Sequence, residues 1–173
     1  MLSESDIEFK PASTDEWSII QAIAYNTWPV AYGELIDPEQ LQYMLEIIYS
    51  ETALKNQMLV LNHKFTLVYS MKQLTGFFST EDNHNGQSQL MIHKLYLLPQ
   101  YQGKDLGKIM LEYITSYARE IKHRSLSLKV FYMNRKAISF YQKGGFIMQG
   151  EEVTNIGKGY KIIDYVMIKH IIE

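Results

Sequence analysis

Residues 96–114, YLLPQYQGKDLGKIMLEYI, join an apolar strand-like run to a helix-like run through a short stretch holding two glycines, two lysines and an aspartate. A helix start leaves four backbone N–H groups without partners and carries the positive end of the helix dipole. Strand, tight loop and helix in that order therefore make an anion site suited to phosphate oxygens. Gly103 and Gly107 permit close backbone approach, and Lys104 and Lys108 add positive charge. A plain turn with a solvated lysine pair is the alternative reading of the loop. A nucleotide-hydrolase loop is disfavoured, because the glycines of GKDLGKI are too close and no Ser or Thr follows the lysine. The three-glycine dinucleotide fingerprint is absent as well.

Working outward, the chain alternates elements. DIEFKPA (6–12) reads as a short strand, and Ser13 with Glu16 as a capping box ahead of a helix that Pro29 should stop near Trp28. Asp37 before Pro38 is an N-cap with proline at the first helical position, opening a helix whose Leu41, Met44, Leu45 and Ile48 form one apolar stripe. One further turn is expected through ETALKNQMLVL (51–61). KFTLVYSM (64–71) and LTGFFSTE (74–81) make a hairpin around Lys72–Gln73, and SQLMIHKLYLL (88–98) a third antiparallel strand. A helix from Leu106 to Lys122, a strand SLSLKVFY (125–132), a short helix RKAISFYQKG (135–144) and two terminal strands complete the chain. The expectation is one α/β (α+β) domain over 1–173: a mixed, twisted sheet of six to seven strands flanked by helices. The strand ending at Leu98 and the one starting near Ser125 should run parallel and splay apart, with a helical crossover between them.

The chain has 173 residues, enough for one ordinary domain with a substantial core, and no cysteine, which excludes disulfides, thiolate zinc sites and a thiol nucleophile. No signal-peptide-like run and no stretch of membrane-spanning length occurs, so the expected setting is the cytoplasm with no membrane partner. Residues 1–60 hold ten acidic against two basic side chains, and residues 61–173 nine against fifteen. Such asymmetry is either solvated surface or the mark of a site that meets a cation on one side and an anion on the other. The basic residues are scattered among acids without an aromatic stripe, so nucleic acid is not expected. No histidine pair stands at ligand spacing, so no metal is expected.

Residues 95–111, LYLLPQYQGKDLGKIML, and residues 134–146, NRKAISFYQKGGF, resemble in order and spacing the two signature segments of the GNAT superfamily of N-acetyltransferases. The resemblance covers roughly residues 90 to 148 by motif and most of the chain by element order. It implies acetyl-CoA as cosubstrate, with Tyr96, Leu97 and Leu98 along the pantetheine arm. Lys104, Asp105, Leu106, Gly107, Lys108 and Ile109 would then surround the pyrophosphate. Gln102, which opens the family's loop pattern, and Gly103 would belong to the same cofactor-binding loop, and Asn134 would contact the arm. It also implies Tyr141 as the general acid that protonates the leaving thiolate. Asp105 departs from the family's usual glycine, and capping of the helix at Leu106 would occupy its carboxylate.

A general base is harder to place. Lys129 stands where some relatives carry a glutamate, and His93 is the strand residue nearby with a suitable ordinary pKa. A water chain or an acidic residue of the first half are the other relays. Trp28 and Tyr32 are candidates for the acceptor wall, or equally for core. The expected reaction is direct acetyl transfer to a primary amine, a small cationic amine, peptide or protein amine. The alternatives are a catalytically silent acyl-CoA-binding module or an acyltransferase with another donor. The apolar terminal segment YKIIDYVMIKHII (160–172) suggests a homodimer, since as a free edge it would aggregate.

Overall fold

The protein was analysed as a computed structural model, which describes residues 6–171. The first five residues of the amino-terminal stretch and Ile172, the end of the terminal apolar segment, lie outside the described residues. The chain runs β1 (Ile7–Pro11), α1 (Trp17–Tyr32), α2 (Pro38–Tyr49), α3 (Glu51–Leu59), β2 (Lys64–Ser70), β3 (Gln73–Asp82), β4 (Gln89–Leu97), α4 (Leu106–Glu120), β5 (Ser125–Phe131), α5 (Arg135–Lys143), β6 (Ile147–Gly157) and β7 (Tyr160–His170). The seven strands form one sheet in the order β1-β2-β3-β4-β5-β7-β6. Helices α4 and α5 pack on one face over a core that includes Leu90, Leu106, Met110, Ile114, Leu126 and Phe146. On the other face α1 to α3 bury Ile20, Ile23, Tyr49, Leu54, Leu67 and Phe77.

Among the described residues only the pair β4/β5 is parallel, and its register covers just Gln89–Ile92 against Ser125–Leu128. Beyond Ile92, β4 continues against β3 as far as Leu97, while β5 continues against β7 as far as Phe131. The two central strands therefore part at the end where the glycine-containing loop lies, and one row of β4 backbone groups faces the gap. Gly76 allows this crowded corner, since a side chain there would strike the Tyr96 carbonyl at 2.1 Å.

Several local expectations are met and several are corrected. The Glu16 carboxylate accepts from the Ser13 N–H at 2.9 Å, and Asp37 accepts from the amides of Glu39 and Gln40 at 3.0 and 3.3 Å. Such a cap contributes about 1 kcal/mol. Pro29, in contrast, does not end α1, which runs on to Tyr32. The proline removes one N–H, but its own carbonyl still accepts from Gly33 at 3.0 Å, and Thr27 folds its hydroxyl back onto the Ile23 carbonyl at 2.9 Å in the adjoining turn. The segment after α2 is a separate helix because Ser50 takes an extended conformation and caps Ala53. Met71 and Lys72, both left-handed, form the β2–β3 turn one position earlier than expected. Helix α4 stops at Glu120, short of Lys122, which turns left-handed while His123 N–H reaches back to the Ala118 carbonyl at 2.9 Å.

Strand β7 is not an edge. It lies between β5 and β6, so its apolar residues on both faces reflect an interior position. The edge strands are β1 and β6, and on β6 Ile147 and Met148 are each 58% exposed and Val153 is 56% exposed.

Candidate functional site

A cleft of ≈ 2020 Å³ follows the gap between β4 and β5, from the loop before α4 past α5 to the junction of α1 with β7. That is about twice the upper range for a drug-sized ligand, and suits an extended cofactor together with a second substrate.

At one end the loop begins with a 3-10 turn, Pro99–Tyr101, and passes through Gly103 (φ 73°) and Asp105 (φ 59°) into α4. The first intrahelical bond runs from Ile109 N–H to the Asp105 carbonyl at 3.0 Å, so the amides of Leu106, Gly107 and Lys108 start the helix without intrahelical acceptors. Asp105 occupies the N-cap position, yet its carboxylate makes no capping bond. Side-chain capping needs an extended N-cap backbone, whereas Asp105 is left-handed, so the expected engagement of this carboxylate is not formed. The Gln102 carboxamide donates to the Leu97 carbonyl at 3.0 Å and accepts from Lys136 Nζ at 3.4 Å. Lys136, on the first turn of α5, thus joins Lys104 and Lys108 around the loop, a contribution that sequence spacing did not reveal. Gly107 faces the Phe140 ring, where an added side-chain carbon would stand 3.4 Å away.

Tyr96, Leu97, Gln102, Gly103, Asp105, Gly107, Lys108, Asn134 and Tyr141 line the cleft. Leu106 is instead buried in the core, and Leu98 packs on the α1–α3 side with its N–H bonded to the Thr75 carbonyl at 2.8 Å. The Lys104 ammonium stands over the Tyr101 ring, and Ile109 is half-buried beside the loop. From Leu106 and Ile109 a ligand would therefore meet backbone.

In the middle of the cleft Tyr141 projects from α5, its ring edge-on to Phe140 and Phe146 at 5.2 and 5.7 Å. Burial, reinforced by the neighbouring Tyr32, holds its phenol above the ordinary range, so it stays protonated at neutral pH. Asn134 caps α5 by accepting from the Ala137 N–H at 3.1 Å. The hydroxyls of Tyr32 and Tyr96 lie 3.3 Å apart. Trp28 is only 5% exposed and packs edge-on against Tyr32 and Tyr49, so it serves the core while reaching the cleft.

At the far end lies a carboxylate that the sequence reading missed. Asp164, on β7, lines the cleft and pairs in register with Phe131 of β5. Burial pushes its pKa up to about 6, against the nearby positive charge of Lys129. Its neighbours on the wall are Tyr32, Phe131 and Ile162. A carboxylate among aromatic rings is a site for an ammonium ion, held by charge and by the ring faces. In sequence Asp164 is one acid inside an apolar strand, and only its placement opposite α1 gives it meaning.

His93 also lines the cleft, at a bulge where the β3/β4 register shifts. Its Nε2 lies 2.7 Å from Glu81 Oε2. Burial lowers its pKa to about 4, so the ring is neutral at neutral pH. Next to it Lys94 bonds Gln57 Oε1 at 2.5 Å, and burial lowers its ammonium to about 7.

The model of the acetyltransferase (GNAT) family matches residues 17–146. The spermine/spermidine N(1)-acetyltransferase of Bacillus subtilis is 34% identical over 77 residues, 44% of this chain, and the chain spans about half (51%) of that relative's length. The spermidine N(1)-acetyltransferase of Thermoplasma acidophilum is 25% identical over 144 residues, 81% of this chain and 88% of the relative. Among solved structures, the PaiA N-acetyltransferase of Thermoplasma acidophilum in complex with coenzyme A superposes with a TM-score of 0.78 at 22% identity, covering 95% of this chain and 99% of that one.

Proposed function

Because the chain belongs to the acetyltransferase (GNAT) family, we propose that it moves an acetyl group from acetyl-CoA directly to the primary amine of a small cationic acceptor. The observation that carries this reading is the splay of β4 from β5. The exposed row of β4 backbone groups leads straight into the amides that open α4, with the Tyr141 phenol facing the same cleft. A pantetheine arm carries amides that can pair with that row as another strand would. Its pyrophosphate would then rest on the α4 N-terminus, with Lys104, Lys108 and Lys136 around it.

The acceptor enters from the opposite side, against Asp164, Tyr32 and Trp28. With a pKa of about 6, Asp164 is largely ionised at pH 7 and attracts an ammonium group, yet it is basic enough to receive a proton from it. His93, lowered to about 4, is the weaker acceptor of the two. The free amine attacks the thioester carbonyl, the thiolate leaves, and Tyr141 donates its proton to sulfur. The route uses no metal. Two polyamine acetyltransferases among the relatives favour a cationic acceptor.

We read residues 1–173 as one such domain and place the activity in the cytoplasm, where its donor is available. We also propose a homodimer, formed across the unpaired β6 edge with its exposed Ile147, Met148 and Val153. Light scattering at micromolar concentration tests that state, and a monomer would refute it.

The test of the activity is thiol release from acetyl-CoA with spermidine, an uncharged-tail monoamine and a lysine peptide. Turnover is expected with the polyamine, and Asp164→Asn should raise its KM about tenfold or more while acetyl-CoA affinity holds. Tight acetyl-CoA binding with no thiol release for any amine would establish the silent binding module instead. Faster release from a longer acyl-CoA would establish a different donor.

A further inference from the structure

We propose that His63, Glu81, His84 and His93 form a binding site for one divalent d-block ion of the zinc class. The four residues come from four separate pieces of chain. His63 stands in the loop between α3 and β2, Glu81 near the end of β3, His84 in the 3-10 turn His84–Gly86, and His93 at the bulge of β4. Among the described residues, His63, Glu81 and His93 each offer a ligand atom, and these atoms lie within 4.8 Å of one another.

One carboxylate oxygen is the focus. Glu81 Oε2 lies 2.7 Å from His93 Nε2, 2.8 Å from His84 Nδ1 and 3.7 Å from His63 Nε2. The rings of His63 and His93 stack at 3.8 Å, with 16° between their planes. Imidazole nitrogen is a borderline-soft ligand. His63 and His93 with the Glu81 carboxylate, joined by His84 at the same carboxylate oxygen, offer nitrogen and oxygen donors that zinc, nickel or copper accepts and magnesium or calcium does not prefer.

Purely structural packing explains this poorly. The His63 side chain is 9% exposed, its Nε2, the nitrogen turned toward Glu81, stands 3.7 Å away and beyond hydrogen-bond reach, and its buried Nδ1 has no hydrogen-bond partner. A buried polar atom without a partner is uncommon and calls for a missing ligand or water. The backbone, moreover, is shaped to bring the groups together. Left-handed Asn83, Asn85 and Gly86 fold His84 back toward Glu81, and the β4 bulge lets both His93 and Lys94 reach toward the end of α3. Bulges of this kind commonly re-aim a side chain at a functional site. The His63 N–H is fixed to the Gln57 carbonyl at 2.9 Å, which anchors the loop ligand. Lys94 is the cationic group beside the cluster, and its lowered pKa weakens its opposition to a dication. An ion bound here would hold His93, and with it one wall of the cleft.

The experiment uses the full chain, stripped with a chelator and titrated with Zn2+, with Co2+ as a spectroscopic stand-in. Calorimetry should give one equivalent, and Co2+ should give the intense visible bands of a four-coordinate site. Melting temperature should rise on addition of Zn2+. His63→Ala and Glu81→Gln should each weaken binding at least about tenfold, whereas His170→Ala, outside the cluster, should leave it unchanged. Circular dichroism and melting establish that each variant is folded. Absence of stoichiometric Zn2+ binding by the folded wild-type chain overturns the proposal. So does wild-type affinity in a folded His63→Ala, which would put the ion elsewhere.

Discussion

The phenol oxygens of Tyr32 and Tyr96 lie 3.3 Å apart, joining the end of α1 to the strand that borders the cofactor gap. Burial raises the pKa of both, so neither ionises near neutral pH and one must donate to the other. The contact links the proposed acceptor wall to the proposed donor strand. Tyr32→Phe is expected to cost about 1 kcal/mol of stability by leaving the Tyr96 hydroxyl without this partner. It should raise the amine KM about fivefold with acetyl-CoA affinity unchanged. Denaturant melts and steady-state kinetics check both, and an equal loss of acetyl-CoA affinity would show that the pair serves the donor side.

Asp105 sets two effects against each other. Replacing it with glycine relieves a left-handed residue, worth about 1 kcal/mol. The added freedom of glycine in the unfolded chain costs a similar amount. Stability should therefore change by less than about 0.5 kcal/mol, because the carboxylate makes no capping bond that could be lost. Acetyl-CoA binding should tighten, since a negative charge is removed beside the proposed pyrophosphate position, and the gain should shrink as salt screens it. Calorimetry at two ionic strengths checks this. Weaker binding by Asp105→Gly would mean that the carboxylate orders the loop.

The fold was legible where chemistry is local. LYLLPQYQGKDLGKIML and NRKAISFYQKGGF each carry their loop geometry in sequence, and the parallel, splayed pair follows from one helical crossover between two strands. Elements whose behaviour depends on distant partners were not legible. Pro29 looked like a stop because its rescue by Gly33 and Thr27 depends on the folded turn. The terminal strand looked like an interface because strand order, and hence its interior place, is not written in its residues. The site divides in the same way. The anion loop is contiguous, whereas Asp164 and the His63, Glu81 and His93 group are assembled from pieces far apart in the chain.

Lys94 gives a pH test of burial. Its folded pKa of about 7 lies below the ordinary 10.5, so the unfolded chain binds more protons between those values. Stability from this group therefore rises with pH across the window from about 7 to 10.5, by at most about 1.4 kcal/mol per unit. Lys94→Met removes the penalty. The variant should be more stable than wild type at pH 7, with the difference narrowing by pH 9. Denaturant titrations at both values decide, and parallel pH curves would show that the lysine is solvated.

In the proposed reaction Tyr141 protonates the leaving thiolate, and its surroundings suit a donor better than an acceptor. Burial and the adjacent Tyr32 both hold the phenol above its ordinary value, so it carries its proton throughout the range in which an amine can attack. Tyr141→Phe keeps the ring against Phe140 and Phe146, which preserves the packing of α5, and acetyl-CoA should bind as before. The loss should fall on kcat, on the order of 10²-fold, the lower range for a positioned general acid, because a thiol leaving group needs only modest help. A donor substrate with a more acidic thiol should recover part of the loss, since its thiolate leaves without protonation. Rates for both donors, read beside calorimetry and a melting curve, separate the cases. Full activity of the variant would remove Tyr141 from the chemistry, and a fall in melting temperature matching the fall in rate would make its role one of packing.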